Sequence, residues 1–189
     1  MGISLERPKF WVEFSLAFNS VFELKMRLVL LGNAGAGKST MASQITDGGK
    51  IPCLSLDTIA WDEGFPCPKR KPLDASLRKL NDFIRASDQW IVEGCYSDLI
   101  EAALPHCTEL RFLNPGVEVC VAHCHRRPWE PEKFSSPEDQ NAMLDKLIQW
   151  VKDYENREDE FGLKRHRQLF DNFRGRKREY TSVGSYDEG

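Results

Sequence analysis

The chain has 189 residues, 26 basic and 29 acidic side chains for a formal net charge of −3, and 41% hydrophobic residues. That length suits one domain, or one with a small appendage, and the apolar content supports a packed core, which excludes disordered, collagen-like and coiled-coil classes. The charge removes any whole-chain electrostatic case for nucleic acid, and no apolar run approaches the roughly 18 residues of a membrane helix.

Residues 1–25 read as an addition to a domain that opens at Met26. Phe10-Trp11-Val12 and the stretch to Phe18 are interrupted by Glu13, and no small-residue cleavage site follows. The six cysteines (Cys53, Cys67, Cys95, Cys107, Cys120, Cys124) are scattered, so reduced thiols and a cytoplasmic location are expected. Cys120-x3-Cys124 with His123 and His125 raises a metal reading, but no second knuckle accompanies it.

From Glu23 onward, short β-like runs alternate with helical periodicity, the pattern of an α/β fold with a parallel sheet. Leu24 to Leu31 is a continuous apolar run, as a strand covered on both faces requires. A helix is predicted over 40–46, and a second strand from Pro52 to Leu56 that ends at Asp57. Leu77, Leu80, Phe83 and Ile84 recur at helical spacing behind Asp74, read as an N-cap. Trp90-Ile91-Val92, ending at Glu93-Gly94, is a third strand, and Glu109 to Leu113 a fourth. Val117 to His125 continues as a helix into Arg126-Arg127, and the proline-rich segment 128–136 reads as a loop or lid. Ser136-Pro137-Glu138-Asp139 is a helix start: a capping serine, a proline in the first turn, then two acids at the positive dipole end. A further helix over 158–173, an edge strand over 178–182 and a frayed tail over 183–189 complete the pattern.

The chemistry lies in Gly32-Asn33-Ala34-Gly35-Ala36-Gly37-Lys38-Ser39, which matches GxxxxGK[ST] directly after the first strand and before a helix. In a chain of ordinary composition such a match arises by chance at under roughly 1%. Glycines admit positive φ, so successive N–H groups can face inward around an anion, and the following helix adds its positive end. Lys38 would reach the β- and γ-phosphates, and Ser39 would offer a hydroxyl to Mg²⁺. In parallel sheets ligands gather beyond the carboxyl ends of the strands, so Asp57 and Glu93 should face this loop. One would serve the metal, and the other would accept a proton from an acceptor hydroxyl.

With these blocks in place, the chain resembles the P-loop small-molecule kinases of the adenylate kinase-like and shikimate kinase-like classes, and more closely the FlaR-like, or DNA topology modulation, kinases. The resemblance rests on Gly32 to Thr40, Leu56-Asp57-Thr58-Ile59-Ala60-Trp61, Trp90-Ile91-Val92-Glu93-Gly94-Cys95-Tyr96 and Leu113-Asn114-Pro115, with a weaker echo in Leu147 to Val151. It implies a three-layer fold with a five-stranded parallel sheet ordered 2-3-1-4-5, a kinase-like domain over 26–182, and an arginine-bearing lid near 126–137. Carried over, Asp57 matches the acceptor-contacting acid, Glu93 the acid near Mg²⁺, and Arg126 and Arg127 the lid arginines. Glu93 stands where those kinases usually carry Asp, and Cys95 where a polar residue is usual.

The expected function is ATP- and Mg²⁺-dependent phosphoryl transfer to a hydroxyl or phosphate acceptor, nucleoside- or nucleotide-like, by a monomer or homodimer. The absence of an Asn/Thr-Lys-x-Asp block favours adenine over guanine. Two alternatives stay open: a nucleotide-binding regulatory NTPase, and a kinase directed at polynucleotides. Trp61 reads either as a wall for an aromatic or sugar acceptor or as a core residue. The run from Lys164 to Arg178 reads as a solvated face balanced by acids between Asp153 and Glu160 rather than as a nucleic-acid patch.

Overall fold

The computed structural model describes residues 25–46, 48–62, 69–131 and 134–188; the expected N-terminal extension therefore lies, Lys25 apart, outside the described residues. Five strands form one parallel sheet: β1 (Arg27–Gly32), β2 (Cys53–Ser55), β3 (Trp90–Gly94), β4 (Glu109–Leu113) and β5 (Arg176–Tyr180). Their order is β2-β3-β1-β4-β5, as the resemblance implies. The register sets Leu30 of β1 and Ser55 of β2 on either side of Glu93, and places Leu31 beside Gly94.

Alternation of side chains along these strands sends two apolar sets to opposite faces. Val29, Leu31, Val92, Leu110 and Phe112 meet α3 (Leu73–Ala86), α4 (Ser97–Ala103) and α7 (Leu163–Asn172) through Leu80, Ile84, Leu99, Ile100 and Leu169. On the other face, Leu28, Leu30 and Ile91 meet α1 (Lys38–Ile45), α5 (Val117–His125) and α6 (Pro137–Lys152). There Met41, Cys120, Cys124, Ile148 and Val151 supply the contacts. The result is three layers with a central sheet buried on both faces, which is why β1 reads as an unbroken apolar run. Each fully buried branched side chain contributes roughly 1.5–3 kcal/mol.

Several boundaries differ from the sequence reading. Asp57 does not end the second strand; β2 stops at Ser55, and Asp57 opens a single helical turn, α2 (Asp57–Ala60). Asp74 lies inside the first turn of α3 and pairs with Arg78 rather than capping the helix. The expected helix over 158–173 begins only at Leu163, and β5 lies two residues earlier than expected. Its run Arg176-Lys177-Arg178 has no apolar alternation to mark the register. The end of the chain, read as frayed, is wound into a 3₁₀ turn over Val183–Glu188. Ser136 does cap α6: its hydroxyl accepts from the Asp139 N–H at 3.1 Å, with Pro137 at the first helical position.

Candidate functional site

Between β1 and α1 the chain makes a tight loop in which Gly35 (φ +78°) and Gly37 (φ +91°) hold left-handed backbone conformations closed to most side chains. Gly35 also lies so close to α5 that an added Cβ would stand 2.3 Å from the Cys120 carbonyl oxygen. Asn33 is buried and ties the loop from within. Its amide donates to the Val151 carbonyl at 3.1 Å, and its Oδ1 accepts from the Ala34 N–H at 2.8 Å. Lys38 is only 8% exposed, and its ammonium donates to the Asn33 carbonyl at 2.9 Å. Among the described residues the N–H groups of Gly35, Gly37, Lys38 and Ser39 meet no hydrogen-bond acceptor. Four donors beside an ammonium and a helix N-terminus form an anion-binding concavity.

At the ends of the neighbouring strands stand the acids. Glu93, 5% exposed, accepts from the Ser39 hydroxyl at 3.1 Å through Oε1. A hydroxyl and a carboxylate make a hard oxygen pair of the kind that suits Mg²⁺, so the residues present fit that ion. Asp57 is exposed at the start of α2, and the Tyr96 hydroxyl donates to its Oδ1 at 2.5 Å while accepting from Trp61 Nε1 at 2.6 Å. Burial, followed by the Asp57 charge, pushes the Tyr96 phenol upward, so it stays a donor. Cys95 sits among Lys38, Asp57 and Glu93, whose charges all act on its thiol. Burial, the largest influence, pushes that thiol up to about 12 and keeps it protonated. The loop lysine and both sequence-predicted acids are thus brought together around the end of β3.

No family model and no curated protein matches this chain. Among solved structures it is similar to an uncharacterized protein from Eubacterium ventriosum, 17% identical over 87% of this chain and 96% of that one, with a TM-score of 0.46. A gluconokinase from Sinorhizobium meliloti is 18% identical over 88% of each chain, TM-score 0.46. An unliganded sugar kinase from Janibacter is 15% identical over 67% of this chain and 92% of that one, TM-score 0.42.

The two predicted lid arginines lie at the C-terminal end of α5. Arg126 is exposed, and Arg127 lies 3.6 Å from Glu130. Among the described residues neither forms a hydrogen bond or ion pair with the loop, although the Arg127 charge acts on Cys124, which packs against Gly35. The segment after them is tied to α6 by Gln140, whose side-chain amide accepts from the Glu130 N–H and donates to the Pro128 carbonyl. His123 is turned to the glycine-rich loop, with Nδ1 2.8 Å from the Gly35 carbonyl, while Cys120 and Cys124 pack in the core. Among the described residues no group of three or more His, Cys, Asp or Glu could hold a metal ion.

Sequence reasoning missed three contributors. Arg70 stacks 4.5 Å over the Tyr96 ring and donates from one nitrogen to both Asp98 oxygens, placing a guanidinium behind the Asp57–Tyr96–Trp61 chain. His166 is fully buried on α7 and anchors the turn after Glu93. It faces the Cys95 carbonyl through Nε2 at 2.9 Å and the Tyr154 hydroxyl through Nδ1 at 2.7 Å. Tyr186, in the C-terminal turn, donates to the Ala36 carbonyl at 2.7 Å. No local motif marks any of them. Each is set by a contact across 26 to 150 positions, of which the longest is Tyr186 to Ala36, |i−j| = 150, and the Arg70–Asp98 pair spans 28.

Proposed function

We propose that the chain is a phosphotransferase that moves the γ-phosphoryl group of ATP to a hydroxyl or phosphate of a small acceptor, nucleoside- or nucleotide-like. The observation that carries this reading is the set of amides of Gly35, Gly37, Lys38 and Ser39, without acceptors among the described residues, beside the Lys38 ammonium and the Ser39–Glu93 pair. Gly32 to Thr40 bind the triphosphate, and Lys38 leaves the Asn33 carbonyl to neutralise the β- and γ-oxygens. Ser39 and Glu93 hold Mg²⁺, which when bound offsets negative charge on the phosphates. Asp57, oriented by the Tyr96 hydroxyl, receives the proton of an acceptor hydroxyl as its oxygen bonds to phosphorus and the bridging oxygen departs on ADP. Trp61 and Tyr96, with Arg70 behind them, offer an aromatic wall suited to a planar acceptor. Arg126 and Arg127 swing toward the transferring group as the segment over 128–136 closes and excludes water.

The test is a screen of nucleosides, nucleotides and small sugars or acids for acceptor-stimulated ADP release, repeated with Lys38→Ala. Wild type responds to at least one acceptor. The variant loses turnover by at least ~100-fold while keeping wild-type circular dichroism. Turnover in Lys38→Ala equal to wild type overturns the scheme.

A further inference from the structure

Three carbonyl oxygens of the phosphate loop are engaged, one from within the loop and two by distant parts of the chain. That of Asn33 takes the Lys38 ammonium and the Ala36 N–H, at 2.9 and 3.2 Å. That of Gly35 faces His123 Nδ1 at 2.8 Å, and that of Ala36 accepts from the Tyr186 hydroxyl at 2.7 Å. In a trans peptide the C=O of one residue and the N–H of the next point in opposite directions. Anchoring the Ala36 oxygen on one side therefore fixes the Gly37 N–H on the other. That N–H is one of the donors with no acceptor among the described residues.

The tyrosine that does this is itself fixed. Its ring stands edge-on to Tyr180 at the end of β5, with centroids 5.7 Å apart and planes at 85°. It also covers Gly37 so closely that an added Cβ there would lie 3.2 Å from the ring. Burial pushes the phenol upward, which keeps it a hydrogen donor across the whole physiological range. A glycine-rich loop with two left-handed residues has many alternative peptide orientations, and each of them would turn donors away from an anion.

We propose that Tyr186 is a positioning residue of the phosphate loop: by holding the Ala36 carbonyl outward it keeps the Gly37 amide aimed at the bound phosphates. The C-terminal turn Val183–Glu188 is then part of the nucleotide site. This rests on the phosphotransferase reading given above. Coupling of this kind is reciprocal, so a bound nucleotide must also hold the turn in place.

The experiment compares the full-length wild type with Tyr186→Phe and Tyr186→Ala by calorimetric titration with Mg·ATP. It is paired with melting of the unliganded proteins and with carboxypeptidase trimming in the presence and absence of Mg·ATP. Tyr186→Phe keeps the ring and loses only the hydroxyl. It is expected to weaken Mg·ATP roughly fivefold to tenfold while leaving the unliganded melting temperature within ~2 °C of wild type. Mg·ATP is expected to slow trimming of the wild-type C-terminus and to protect Tyr186→Ala less. Equal affinities for wild type and Tyr186→Phe, with trimming indifferent to nucleotide, overturn the positioning role and leave the phosphotransferase reading standing. A wild type that binds no Mg·ATP overturns both. Loss of melting temperature in Tyr186→Phe without loss of affinity marks the contact as structural only and also overturns the proposal.

Discussion

His166 shows how one buried side chain ties stability to pH and to the site at once. Desolvation, with the Lys38 charge adding to it, pulls its imidazole down from an ordinary 6.5 to about 4, and the backbone hydrogen bonds to Cys95 and Glu160 offset this only in part. Neutral, it donates through Nε2 to the Cys95 carbonyl and accepts from the Tyr154 phenol, which satisfies both nitrogens. The unfolded chain takes up a proton below about 6.5 that the folded chain refuses until about 4. This contribution to stability is therefore complete above 6.5 and is lost as pH falls through that window, by about 3 kcal/mol in all. Urea midpoints measured between pH 7 and 4.5 should fall with acidification in the wild type, and the decline should be shallower in His166→Gln. The sequence offered no hint of this histidine, which carries no motif and lies on a helix read for its basic residues. Lys38, by contrast, was legible at once, since its neighbours in sequence are also its neighbours in space.

Some elements carry a complete local signal, and others take their bounds from packing. The start of α6 is an example of the first kind. Ser136, Pro137 and the acids at 138 and 139 specify a helix N-terminus within four residues. Ser136→Ala should cost about 1 kcal/mol, read as a lower urea midpoint with an unchanged slope. β5 is the opposite case. Its side chains are charged except for Tyr180, and only pairing with β4, Glu109 beside Arg176 and Leu113 beside Tyr180, sets where it begins. Asp57 was placed at a strand end because the apolar run continues to Leu56. In the fold, Leu56 packs against Gly94 instead, and the chain turns helical one residue later.

For the molecule as a whole, the fate of the basic stretch from Lys164 to Arg178 bears on the polynucleotide alternative. Arg165 pairs with Glu101, Arg167 with Glu179, Arg176 with Glu109, and the Lys177 ammonium is held by the Phe170 and Asp171 carbonyls. The counter-charges of the stretch come mainly from α4, β4 and β5 rather than from the acids between Asp153 and Glu160, of which Glu158 pairs with Lys164. With these cations engaged by acids and carbonyls, few remain to release counterions from a phosphate backbone. Fluorescence anisotropy with a labelled 20-base oligonucleotide should show no salt-sensitive binding at 50 mM salt. Tight binding that weakens steeply with added salt would revive the polynucleotide reading. Among the described residues no helix is long and apolar enough to cross a membrane.

The amino-acid order alone determined the strand–loop–helix unit from β1 to α1 and the α/β class, because each depends on residues a few positions apart. Only tertiary structure decided what surrounds them: the Tyr96 hydroxyl on Asp57, the His166 support behind Cys95, and the Tyr186 hydrogen bond on the Ala36 carbonyl. Those contacts join residues that parallel crossovers bring to one end of the sheet from distant parts of the chain. A single sequence records such pairings only in the folded arrangement itself, since any buried tyrosine or histidine would look the same along the chain.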